Sequence, residues 1–128
     1  MTIDHKYIDQ FINVTTKAAL ASYDFVGKKD KIDADKAAVD SMRNELNQLN
    51  INGKIVIGEG ELDEAPMLYI GEKVGTTNGP EIDIAVDPLE GTNFAANNLP
   101  GALSVIAIAE KNNLFHAPET YMEKISAK

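Results

Sequence analysis

The sequence predicts a layered α/β fold, α+β in character, with helices packed on a sheet. Three observations point to it. Two stretches of helical period lead the chain, short apolar or alternating runs follow at residues 54–57, 82–86 and 102–109, and glycine, proline or asparagine marks the turns between them. At 128 residues the chain fits a single domain, residues 1–128, with room for a modest core.

Between Asp4 and Val26, apolar or small residues recur at Ile8, Phe11, Ile12, Ala18, Ala19, Ser22, Phe25 and Val26, close to the helical period. Gly27 is a natural C-terminal stop. Lys28 to Asp35 reads as a charged loop leading into a second helix whose buried face includes Ala38, Met42, Leu46 and Leu49. Asp33 or Asp35 is suited to capping that helix. Asn50-Ile51-Asn52-Gly53 is a turn, and Lys54-Ile55-Val56-Ile57 a strand that runs into Gly58-Glu59-Gly60-Glu61. Residues 65–74 suit a short helix or a strand equally, and residues 75–80 read as a loop.

The next strand, Ile82-Asp83-Ile84-Ala85-Val86, delivers Asp87-Pro88-Leu89-Glu90-Gly91-Thr92. Proline has no amide hydrogen to donate, so Pro88 is expected to end the ladder, while Gly91 permits a close approach of backbone to a ligand. Two carboxylates three residues apart then stand on a rigid turn. Residues 93–101 read as an irregular or helical connection, and Ala102 to Ala109 as a strand buried on both faces. Leu114-Phe115-His116 has the character of a further strand, and Ala117-Pro118-Glu119 that of a helix start, with Tyr121 and Met122 in the helix. His116 has no second histidine at ligand spacing and reads as a surface or structural residue.

Composition narrows the function classes. A formal charge of −8 argues against a nucleic-acid surface, and an anionic substrate would then need positive charge supplied by bound cations. The absence of cysteine excludes disulfides and thiolate-bound zinc. The first thirty residues lack the apolar run of a signal peptide and no stretch is suited to spanning a membrane, so a cytoplasmic location is expected.

Asp35, Glu59 and the Asp87/Glu90 pair are far apart in sequence, each at an expected element end. A fold that gathers them makes a basin for divalent ions with a preference for oxygen ligands, magnesium or manganese. Such a basin polarises a phosphoryl oxygen and activates water, and Thr92 is placed to orient that water for in-line attack. The amides of Gly91 and Thr92, if they open a helix, would face a phosphate. This is the chemistry of phosphate monoester hydrolysis.

The run from Ile57 through Gly75, with its Gly58-Glu59-Gly60-Glu61 core, resembles class II fructose-1,6-bisphosphatase, as do Asp83 to Thr92 and Ala117-Pro118 with Tyr121-Met122-Glu123-Lys124. That family belongs to the metal-dependent, lithium-sensitive sugar and inositol phosphatases. The resemblance implies the N-terminal lobe of an α-β-α-β-α sandwich, with a mixed or antiparallel sheet. It implies hydrolysis of the 1-phosphate of fructose 1,6-bisphosphate in gluconeogenesis, with manganese or magnesium as cofactor. Asp35, Glu59, Asp87 and Glu90 would be metal ligands; Thr92, Glu90 and Asp87 catalytic; and Glu90, Gly91, Thr92 and Tyr121 substrate contacts.

Lys36 and Asp33 change the charge beside Asp35, Gly101 stands where the family commonly has asparagine, and Ala95 where a hydroxyl is frequent. The family's second lobe, absent from these 128 residues, would carry arginines for the other phosphate, further aspartates and one more acidic ligand. Here Arg43 is the only arginine and no aspartate follows Asp87. The chain is therefore expected to act as a homo-oligomer or with a second lobe. The alternatives are a non-catalytic metal-binding remnant that partners a full-length homologue, and a sedoheptulose-1,7-bisphosphatase.

Overall fold

A computed structural model describes residues 3–62, 65, 67–118 and 120–127. Helix α1 (Lys6–Tyr23) and helix α2 (Lys31–Gln48) come first. They are followed by strand β1 (Asn52–Ile57), the two-residue strand β2 (Lys73–Val74) and the long strand β3 (Glu81–Glu90). A five-residue helix α3 (Thr92–Ala96) and strand β4 (Leu103–Glu110) complete the order.

The four strands form one mixed sheet in the order β2-β1-β3-β4. Strands β1 and β3 are parallel, from Asn52 opposite Glu81 to Ile57 opposite Ala85, and both outer pairings are antiparallel. The mixed, layered α/β arrangement expected from the sequence is thus present. The two long helices pack side by side against one face of the sheet. Tyr7, Phe11, Val14, Ala18 and Ser22 of α1 meet Ala34, Ala38, Val39, Met42 and Leu46 of α2, over Ile55, Ile82, Ile84 and Val86. Met42 and Leu46 are fully enclosed, and each such side chain stabilises the fold by about 1.5–3 kcal/mol through burial.

Several expectations are corrected. On α1 the buried stripe is 7, 11, 14, 18 and 22, whereas Ile8 and Ile12 are half exposed, because Tyr7 supplies the inward contact one position earlier. The cap of α2 is Asp30, whose carboxylate accepts from the Asp33 amide at 3.0 Å; the helix starts at Lys31, too early for Asp33 or Asp35 to cap it. The 50–53 turn gives way to strand at Asn52. Pro88 does not end its strand. Strand β3 continues to Glu90, opposite Leu103, with the register shifted between Asp87 and Glu90. At such a bulge a ladder amide is dispensable, so proline is tolerated there.

Among the described residues of 65–74, only Lys73–Val74 is regular structure. Strand β4 is covered on the helix side only: Leu103 and Val105 are 57% and 41% exposed on the other. Leu114 to His116 forms no strand, and the described residues from Ala117 to Ala127 form no helix; Glu119 lies outside the described residues. Tyr121, Met122 and Ile125 are exposed, so no burial against the core offsets the cost of forming a helix there.

Candidate active site

Parallel pairing of β1 and β3 puts their carboxyl ends at the same edge of the sheet. Just beyond β1 come Gly58, Glu59 and Gly60; just beyond β3 come Gly91 and Thr92. In open α/β sheets this edge is where ligands bind. Glu59 is positioned by its backbone: its amide donates to the Leu68 carbonyl at 3.0 Å, and the Ile70 amide donates to the Gly60 carbonyl at 2.9 Å. Gly58 has no alternative, because a Cβ there would lie 2.0 Å from the Leu68 oxygen. Gly91 adopts a left-handed conformation, φ 78°, and its carbonyl accepts from Phe94 at 2.8 Å, which turns the chain out of β3 into α3.

Helix α2 contributes the third wall. Ile32, Asp35, Lys36 and Val39 follow a 3-4 spacing, and with Lys31 they face Glu59, Ala65, Met67 and Thr92 across a cleft of about 490 Å³. Asp35, Glu59 and Thr92, three residues singled out from sequence, are therefore brought together. Asp35 belongs to the second turn of α2, where no element end was needed to present it. Asp87 and Glu90 sit on the last stretch of β3, both exposed, and neither lines the cleft. Tyr121 is fully exposed beyond β4 and is not part of the cleft.

Burial pushes the Asp35 carboxyl above its ordinary pKa, and among the described residues no hydrogen bond or cation contributes. Lys36 is held at 2.7 Å by Asp40, one turn on, and that hydrogen bond raises its pKa. The two lysines were missed as cleft residues. Lys31 is four positions before Asp35, so helical spacing alone would have placed it on the same face.

The donor set is carboxylate and hydroxyl oxygen, which suits a hard divalent ion, and a half-buried Asp35 with no positive partner among the described residues is a group that such an ion would relieve. Among the described residues no group of three or more histidine or carboxylate side chains is already gathered to hold a metal.

The fold and the cleft define a layered α/β protein with a polar site at the carboxyl ends of its parallel strands, where two carboxylates and a hydroxyl stand beside two lysines. The same fold occurs in a solved extragenic suppressor from Pyrococcus furiosus, with a TM-score of 0.56 and 19% identity over 82% of this chain and 40% of that one. More specifically, the chain belongs to the family described as bacterial fructose-1,6-bisphosphatase, glpX-encoded, which it matches over residues 5–128. It is 58% identical over 116 residues to fructose-1,6-bisphosphatase 1 class 2 of Escherichia coli K12, covering 91% of this chain and 34% of the relative. It is 52% identical over 125 residues to the D-fructose 1,6-bisphosphatase class 2/sedoheptulose 1,7-bisphosphatase of Synechococcus sp. CC9902, covering 98% of this chain and 37% of the relative. The chain spans about a third of the length of the curated relatives it matches. Among the described residues no helix is long and apolar enough to cross a membrane.

Proposed function

We propose that this chain carries the carboxylate portion of the active site of a metal-dependent phosphatase, one that converts fructose 1,6-bisphosphate to fructose 6-phosphate and phosphate. The observation that carries the reading is the cleft uniting Asp35, Glu59 and Thr92 at the strand ends, in a chain 58% identical to a fructose-1,6-bisphosphatase. Residues 1–128 form one lobe, and the phosphate clamp that a sole, committed Arg43 does not provide comes from a second lobe or another copy.

Asp35 and Glu59 of the cleft, with Asp87 and Glu90 of β3, would hold magnesium or manganese. Bound there, the ion supplies Lewis acidity towards a phosphoryl oxygen and neutralises the charge of those carboxylates. The chain's own groups do the rest. The Thr92 hydroxyl accepts a hydrogen bond from the attacking water and fixes its line of approach. Gly91, lacking a side chain, lets the phosphate approach the backbone. Lys31 and Lys36 supply positive charge at the cleft, and Tyr121 meets the sugar.

The experiment is phosphate release from fructose 1,6-bisphosphate with manganese, for this chain alone and for this chain mixed with the remaining two thirds of a relative that lacks the matching portion, each beside Glu90→Ala. Release that vanishes in the variant supports the reading. Release that persists in it overturns the role of Glu90, and failure in every combination leaves a metal-binding partner without turnover. A second reading, sedoheptulose 1,7-bisphosphate as substrate, is favoured by the dual name of the Synechococcus relative and is compared in the same assay.

A further inference from the structure

We propose a second anion site, for an oxyanion of phosphate size, at the end of the sheet opposite the cleft. It is a pocket of about 140 Å³ whose charged lining is Lys54, Lys73 and Lys111, the carboxylates Glu81 and Asp83, and His116. Lys54 of β1 is directly opposite Lys73 of β2 and also in register with Asp83 of β3, so all three point away from the helices. The core side of the same strands is occupied by Ile55, Val74, Ile82 and Ile84.

Two like charges directly opposed across a strand pair destabilise it. The expected remedy is an internal counter-charge, and the local carboxylates are already engaged. Asp83, 2% exposed, accepts the Asn112 amide at 2.8 Å and lies 3.9 Å from the His116 imidazole. Glu81 is paired with Lys111 at 2.6 Å. Among the described residues Lys54 and Lys73 have no ion-pair or hydrogen-bond partner. In a chain of charge −8, the ammonium groups of Lys54, Lys73 and Lys111 outnumber the carboxylates of Glu81 and Asp83 around this pocket, a locally positive balance. An oxyanion between Lys54 and Lys73 takes charge-assisted hydrogen bonds from both and removes their repulsion.

Strands β1 and β3 enter this pocket by their amino ends and leave at the cleft, so the two sites are separated by the length of the parallel pair. The proposal therefore does not rest on the phosphatase reading, and each site has its own reporters.

The test is a titration of ¹⁵N-labelled chain with inorganic phosphate, against sodium chloride of matched ionic strength, followed by amide shifts. Saturable shifts at Lys54, Lys73 and Asn112 are expected with phosphate and not with chloride. Lys54→Gln/Lys73→Gln should weaken that binding at least about tenfold, while shifts at Glu59 and Thr92 report the cleft separately. Both positions are exposed, and an unchanged circular dichroism spectrum verifies the fold. A non-saturating response at Lys54, Lys73 and Asn112, the same response with chloride, or equal affinity in the double variant overturns the site.

Discussion

Asp35 makes the cleft costly to the folded state, and the sign follows from its burial. Its folded pKa lies above the unfolded value of 3.8, so the native state holds the proton more tightly. Stability from this group therefore falls as pH rises from the unfolded towards the folded pKa, and stays low above it. In metal-free buffer Asp35→Asn should be more stable than the parent at neutral pH, with the gap closing below about pH 4; paired denaturation curves across that range check it. Arg43 presents the opposite case. Its Nε donates to Glu72 at 2.6 Å, and Glu72 is 4% exposed with its second carboxylate oxygen unbonded among the described residues. Arg43→Met should cost roughly 2–4 kcal/mol in urea unfolding, and Arg43→Met/Glu72→Leu should recover most of it, because the stranded charge rather than the lost contact sets the penalty.

At the scale of elements, the loop that presents Glu59 depends on Gly58. Gly58→Ala must displace the Leu68 backbone carbonyl, so a loss of about 1–3 kcal/mol is expected. Chemical denaturation measures it, and the Glu59 amide shift should move with it. What the sequence revealed about elements follows the strength of local signals. The helices at α1 and α2 and the strands at β1, β3 and β4 were legible because period and β-branching agree with packing. The phase of the α1 stripe was not, since Tyr7 and Ile8 are equally fit for burial until a partner helix selects one. Pro88 misled for a related reason: its missing amide forbids a regular ladder, whereas the bulge that excuses it is created jointly with β4. Tyr121 and Met122 suggested a helix, yet an apolar pattern without a surface to cover does not hold one, and both side chains are exposed.

Across the whole molecule, the meeting of Asp35, Glu59 and Thr92 was visible only as three acidic or hydroxyl-bearing points and a recognised pattern; what joins them is the parallel pairing of β1 with β3 and the packing of α2, which no spacing encodes. The exposed outer side of β4 belongs to the same scale, since a strand legible as apolar gives no sign of which face is covered. The pairing of β1 with β3 closes over the entire 58–80 connection. Non-local parallel pairing of this kind is slow to form. We expect the cleft, which needs that pairing first, to be completed after the folding barrier. An ion that ties Asp35 to Glu59 should consequently leave the refolding limb of a stopped-flow chevron unmoved and slow the unfolding limb, with Glu59→Gln erasing the difference. Metal would then act less as a guide to the fold than as a latch upon it, lengthening the life of the native state without hastening its birth.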